Sequence, residues 1–186
     1  MNRKGLLFIL TLSLIPASLS FGQTGLGAAA SQAEITAQGY DYFSSQGYNL
    51  GIKVQGEALQ VYMSAPTTGW LAVGFNPSRR MRDANITIGY AKDGELTIRD
   101  DYGIADTMHG PDTARGGSDD VTLLAGGEAA GRTWFEFQIP LDSGDSMDRA
   151  LERGKTYPVI WAFGPNNRDD FRTVHGRRGS FRITIP

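Results

Sequence analysis

The chain has 186 residues, with 18 Lys and Arg against 20 Asp and Glu for a formal net charge of −2, and it contains no cysteine. That composition excludes a disulfide framework, thiolate metal sites and Cys-x-x-Cys-His attachment, and a sequence pI near 5.7 argues against a basic nucleic-acid binder. With 40% hydrophobic residues and 24 Gly, the chain can bury one core made of short strands and tight turns.

Residues 1–22 have the layout of a signal peptide: Arg3 and Lys4, an apolar run from Leu6 to Ile15, then Pro16 and small residues. The run is shorter than the roughly 20 residues of a membrane span. The other reading is a buried N-terminal helix or an uncleaved anchor. An exported protein, periplasmic or extracellular, is therefore expected, with no membrane span in the mature chain. Residues 23–38 are rich in Gly, Ala, Ser and Gln and are expected to form a flexible leader. One domain is expected over 39–186.

From Tyr40 onward the apolar period is two. Leu59, Val61 and Met63 alternate with Gln60, Tyr62 and Ser64, and Ile183 and Ile185 flank Thr184. Such alternation marks half-buried strands. The continuous runs Trp70-Leu71-Ala72-Val73-Gly74-Phe75 and Val159-Ile160-Trp161-Ala162-Phe163 read as central strands. Strands are predicted at about 49–55, 58–64, 69–75, 84–91, 95–100, 120–126, 132–139, 157–163 and 180–185. Asp93-Gly94 signals a tight hairpin. Asp148 to Arg153 is the one segment that looks helical. The fold expected is an all-β antiparallel sandwich, with a lipocalin-type barrel as runner-up.

Three long connections remain, at about 76–83, 101–119 and 164–179, and they hold the unusual residues. Met81 sits among Arg79, Arg80 and Arg82, on no apolar periodicity, so core packing explains it poorly. His175 and His109 are the only histidines. No nucleophile elbow, phosphate loop or Rossmann fingerprint is present, and two isolated histidines do not form a zinc motif.

In chain order, Gly69-Trp70-Leu71-Ala72-Val73-Gly74-Phe75-Asn76, Met81-Arg82-Asp83-Ala84-Asn85-Ile86, Asp93-Gly94 and Asp100-Asp101-Tyr102 form one series of motifs. Phe135-Glu136-Phe137, Pro140-Leu141-Asp142-Ser143-Gly144-Asp145, Val159-Ile160-Trp161-Ala162-Phe163-Gly164 and His175-Gly176-Arg177-Arg178-Gly179 complete it. Together they resemble the DOMON domain family, in particular its haem-binding cytochrome branch, over about residues 45–185. The resemblance implies a sandwich that holds one non-covalent haem b, with Met81 and His175 as axial ligands. Ala84-Asn85 replaces the family's usual Ala-Asp, and the loop before Met81 is rich in arginine rather than glycine. Family members without the ligands bind sugars or other small molecules.

The chemistry agrees. Iron accepts an imidazole nitrogen and a thioether sulfur, and the thioether favours the ferrous state. The two ligand loops are expected at one end of the sandwich, with Trp70, Phe75, Tyr90, Trp161 and Phe163 lining an apolar slot or, alternatively, forming ordinary core. His109 is the rival nitrogen ligand, giving bis-His ligation. Arg79, Arg80, Arg82, Arg177 and Arg178 are read as partners for haem propionates, as a docking patch for an acidic partner, or as solvated loops. Asp100, Asp101, Asp106, Asp112, Asp119 and Asp120 follow no EF-hand pattern, which leaves a calcium site built from scattered acids as an alternative.

The expected function is single-electron transfer to or from a separate redox protein or oxidoreductase subunit, without catalysis by this chain alone. The alternatives are a haem-free module for carbohydrate or another small ligand, and a docking subunit of an extracytoplasmic enzyme complex.

Overall fold

Two antiparallel sheets pack face to face in a computed structural model that describes residues 26–186. The predicted signal peptide at 1–22 lies outside the described residues. The first sheet has five strands, ordered β1 (Asp41–Ser45), β2 (Tyr48–Gln55), β3 (Ala58–Ala65), β9 (Arg132–Pro140) and β8 (Thr122–Ala129). The second has six, ordered β11 (Arg177–Thr184), β10 (Thr156–Phe163), β4 (Leu71–Phe75), β5 (Asn85–Lys92), β6 (Glu95–Ala105) and β7 (Met108–Pro111). The sheets keep separate edges and do not close on each other, so the sandwich reading holds and the barrel is excluded.

The nine predicted strands are all present, each shifted by a few residues. β6 runs on to Ala105, and the short edge strands β1 and β7 were not predicted. Asp93 and Gly94 take φ of 52° and 83° between β5 and β6, the paired left-handed conformation that a two-residue hairpin turn needs.

The core lies between the sheets. Leu50, Ile52, Leu59, Val61 and Met63 from one sheet meet Leu71, Val73, Phe75, Val159 and Trp161 from the other. Each such side chain contributes about 1.5–3 kcal/mol by leaving water. Tyr48 stacks on Trp161 with ring centroids 5.0 Å apart. The apolar runs that marked β4 and β10 are continuous because both faces of these central strands are covered. Leu71, Val73 and Phe75 point into the sandwich, and Trp70 and Ala72 point out of it.

Two expectations are corrected. The segment expected as a flexible leader forms a short helix, α1 (Gln32–Ala37), from within its length. Ser31 and Glu34 form a reciprocal capping box at its start. Leu26 and Ile35 are buried with Tyr40 and Tyr62 on the outer face of the five-stranded sheet, so folded structure begins at least as early as Leu26. The segment 148–153 is not helical. Its side chains are needed elsewhere: Asp148 accepts hydrogen bonds from Ser143 and Asn85, and Leu151 enters the core with its N–H donating to the Leu141 carbonyl at 2.7 Å.

Candidate functional site

The outer face of the six-stranded sheet carries its own apolar cluster, made of Trp70, Ala72, Ala84, Ile86 and Ile88. Ala162 pairs in register with Ala72, which in turn pairs with Ile88, so a row of mostly small side chains crosses the centre of this face. Soluble sheets seldom dedicate an outward face to buried apolar residues without a cover. Here two of the three long loops supply the cover. Met81 packs on the cluster from the 76–84 connection, and Phe171 from the 164–176 connection. Phe171 tilts against Tyr90 at 4.9 Å, and the Arg99 guanidinium lies 4.1 Å from the centre of the Phe171 ring.

Met81 is held by its main chain. Its N–H donates to the Asp106 carbonyl at 3.4 Å, and its own carbonyl accepts from Ala84 N at 3.1 Å. The loop lies so close to β6 that a Cβ on Gly103 would stand 1.6 Å from the Met81 carbonyl oxygen, which makes glycine necessary there. Asp83 ties down the same turn, accepting from the hydroxyls of Ser78 and Tyr102; the Ser78 bond foremost holds its carboxyl below the usual range.

His175 is half-buried just before β11, and the next residue, Gly176, donates its N–H to the Phe163 carbonyl at 2.8 Å. Trp70 fixes the approach to it, because its indole N–H donates to the Thr173 carbonyl at 3.1 Å. Asp170 braces the same loop by accepting from Thr173 and Arg172 main-chain N–H groups at 2.6 and 2.7 Å. His175 Nε2 lies 3.2 Å from Arg178 Nη1. A guanidinium can only donate, so Nε2 is the nitrogen that accepts.

The loops do not share one end of the sandwich, as was expected. β4 pairs antiparallel with β10, so the loop after Phe75 and the loop after Phe163 leave opposite ends of the sheet. They fold back over the same outer face, where Trp70 belongs to the cluster that Met81 joins and also anchors the His175 loop. The residues expected to line a slot fall on two different faces. Trp70 and Tyr90 belong to the outer face, whereas Phe75, Trp161 and Phe163 point inward and are ordinary sandwich core. The inward and outward sets differ by a single residue position, and the register decides between them.

The arginines separate into different environments. Arg79 and Arg82 both pair with Asp106, whose carboxyl is held low chiefly by Arg79. Arg177 reaches Gln46 at 3.4 Å, Arg178 contacts His175, and Arg80 is exposed. His109 Nδ1 meets Asp101 Oδ2 at 2.5 Å. Asp101 is buried and also accepts from Arg99 at 2.5 and 2.8 Å. The His109 and Arg99 bonds outweigh burial and hold the Asp101 carboxyl down. Of the remaining acids, Asp100 and Asp120 gather with Asp148, a residue that the sequence reading did not single out.

Sandwich, outer-face cluster and covering loops together define a recognisable class. Residues 44–164 match the DOMON domain family, and the chain belongs to it. The matched span includes Met81 and ends before His175. The fold is similar to that of the cytochrome b domain of pyranose dehydrogenase from Coprinopsis cinerea. That match has a TM-score of 0.60 at 12% identity, over 78% of this chain and 81% of that one. It is also similar to the cytochrome domain of Myriococcum thermophilum cellobiose dehydrogenase, with a TM-score of 0.57 at 8% identity over the same shares of the two chains. Among the described residues no helix is long and apolar enough to cross a membrane.

Proposed function

We propose that this chain is an exported electron carrier that holds one haem b, without covalent links, against the outer face of the six-stranded sheet. In this reading Met81 and His175 are the axial ligands, and electrons pass one at a time to or from a separate redox protein. The observation that carries the reading is the position of Trp70. It is part of the apolar cluster on which Met81 packs, and its indole fixes the loop that ends in His175.

The residues suit the group by their chemistry. A thioether and an imidazole on loops that cover one apolar face match the donor set of a low-spin haem. The row of Ala162, Ala72 and Ile88 would offer apolar contact to the macrocycle. When bound, the haem supplies an iron that alternates between ferrous and ferric states, with the thioether raising its potential. The protein supplies position and exclusion of water. His175 Nε2, which accepts from Arg178, is the nitrogen that presents a lone pair and would serve as the metal donor in place of that bond. Met81 carries no proton, so its side chain keeps one charge state at any pH. Trp70, Ile86 and Ile88, all buried, keep that face dry. The exposed Arg80 and Arg177 are placed to meet haem propionates or an acidic partner.

The test is to add hemin to the purified protein and record oxidised and dithionite-reduced spectra. One equivalent giving a low-spin b-type spectrum supports the reading. No saturable binding, with a carbohydrate or other small ligand bound instead, replaces it with a haem-free module.

A further inference from the structure

A second cluster lies on the inner side of the six-stranded sheet and has no part in the proposed electron carrier. One oxygen from each of Asp100 on β6, Asp120 before β8 and Asp148 in the 141–155 connection lies within 4.8 Å of the others. Close carboxylates alone do not make a site, since repulsion is normally relieved by exposure. Here exposure is denied: Asp100 is 2% exposed and one of its oxygens has no hydrogen-bond partner.

A second observation points to a missing positive charge. Asp112, the first residue of the short 3-10 turn Asp112–Arg115, is 1% exposed, and neither of its carboxylate oxygens has a partner. Burial foremost, and then the acids Asp148, Asp101, Asp145 and Asp120, disfavour its charged form. Asn85 adds a neutral oxygen. Its amide nitrogen donates to Asp148, and its buried Oδ1 is unpartnered. The bonds that do exist leave this side open: Asp120 N–H donates to Asp100 Oδ2 at 3.1 Å, Ser118 Oγ to Asp120 Oδ2 at 3.0 Å and Ser143 Oγ to Asp148 Oδ2 at 2.6 Å. Arg99, the basic side chain beside Asp100 in sequence, turns to Asp101 and Phe171 on the other face.

We propose that Asp100, Asp120 and Asp148, with the amide oxygen of Asn85, form a calcium-type divalent cation site. The donors are all hard oxygens, and several carboxylates in an irregular cage suit calcium, which accepts about six to eight oxygens at flexible geometry. Zinc prefers nitrogen and sulfur, which the site lacks. Magnesium demands a near-octahedral arrangement and retains its waters. A bound cation joins β5, β6, the segment before β8 and the 141–155 connection at one end of the sandwich. Asn85 is also the first residue after the Met81 loop, so the cation lies beside the point at which that loop ends.

The site is independent of haem and is tested without it. Chelator-treated full-length protein is titrated with calcium chloride by calorimetry, and its thermal unfolding is followed in calcium, magnesium and sodium chloride at matched ionic strength. The expected result is saturable calcium binding with a rise in Tm that magnesium and sodium do not match. Asp148→Asn weakens calcium binding by at least about 100-fold, because loss of even an outer partner of a metal ligand costs about 10–100-fold. In chelator the same variant unfolds at a higher temperature than wild type, since one repelling charge is gone. Asp120→Asn, at a half-buried position, repeats the binding measurement if Asp148→Asn does not fold. Three results overturn the proposal: no saturable calcium heat, an equal Tm rise in all three salts, or unchanged calcium affinity in the variants. Any of them means that the carboxyls share protons instead.

Discussion

Raising the pH of chelator-treated protein forces charge onto carboxyls that the fold has buried. Burial foremost, with Asp148, Asp112 and Asp119 acting in the same direction, pushes Asp100 from an ordinary 3.8 up to about 8. Burial, with Asp148, Asp101, Asp145 and Asp120, raises Asp112 to about 7. A group with a raised folded-state pKa contributes stability that is complete below its unfolded value and is lost as the pH climbs through the folded one. Between those limits the folded chain binds more protons than the unfolded chain, so stability falls as pH rises. Because the two acids repel each other, we count one retained proton over about two pH units, which at 1.36 kcal/mol per unit gives a loss of about 3 kcal/mol between about pH 5 and pH 7. For a domain of this size that corresponds to a drop of roughly 6–12 °C in Tm. Carboxyls held low in the folded state, among them Asp83, Asp101 and Asp106, act in the opposite direction but only at more acid pH, as they protonate. Urea unfolding followed by tryptophan fluorescence across this range measures the slope, and Asp100→Asn should flatten it. A wild-type stability that stays level or rises from about pH 5 to pH 8 in chelator refutes the reasoning.

Two further predictions concern the covers of the two outer faces. Ile35→Ala removes a fully buried side chain from the helix that covers the five-stranded sheet, and should cost about 2–5 kcal/mol in urea unfolding. A loss below about 0.5 kcal/mol, as for an ordinary surface residue, restores the idea of a loose leader. Trp70→Phe keeps an aromatic ring of smaller size but removes the N–H that donates to Thr173, which should cost at least about 1 kcal/mol and speed proteolytic cleavage within residues 164–176. Unchanged cleavage there means that the indole does not anchor the loop.

Much of the sandwich is written in local patterns. Alternation in 58–64 and the Asp93-Gly94 turn are short-range signals, and they gave strands close to their true places. Asp41–Ser45 escaped because a half-exposed edge strand without strong alternation looks like a loop. The short α1 carried a readable signal in Ser31-x-x-Glu34, but it was masked by the small, polar residues around it. The candidate loops were legible as unusual segments, and their placement was not. Met81 and His175 stood out as unusual loop residues, yet the end of the sheet at which each loop departs depends on the pairing of β4 with β10, strands some 85 positions apart. The choice between Trp161 and Ala162 as the outward residue also depends on register, because both faces of β10 are apolar and the alternation is hidden. Asp148 joins Asp100 only through tertiary folding, and no spacing rule links them.

The most direct test of the electron-carrier account is the spectrum and reduction potential of hemin-loaded wild type, His175→Ala and Met81→Ala, measured side by side. The account predicts that His175→Ala loses the low-spin spectrum, while Met81→Ala retains weak haem binding at a lowered potential. Wild-type spectra and potentials in both variants contradict it.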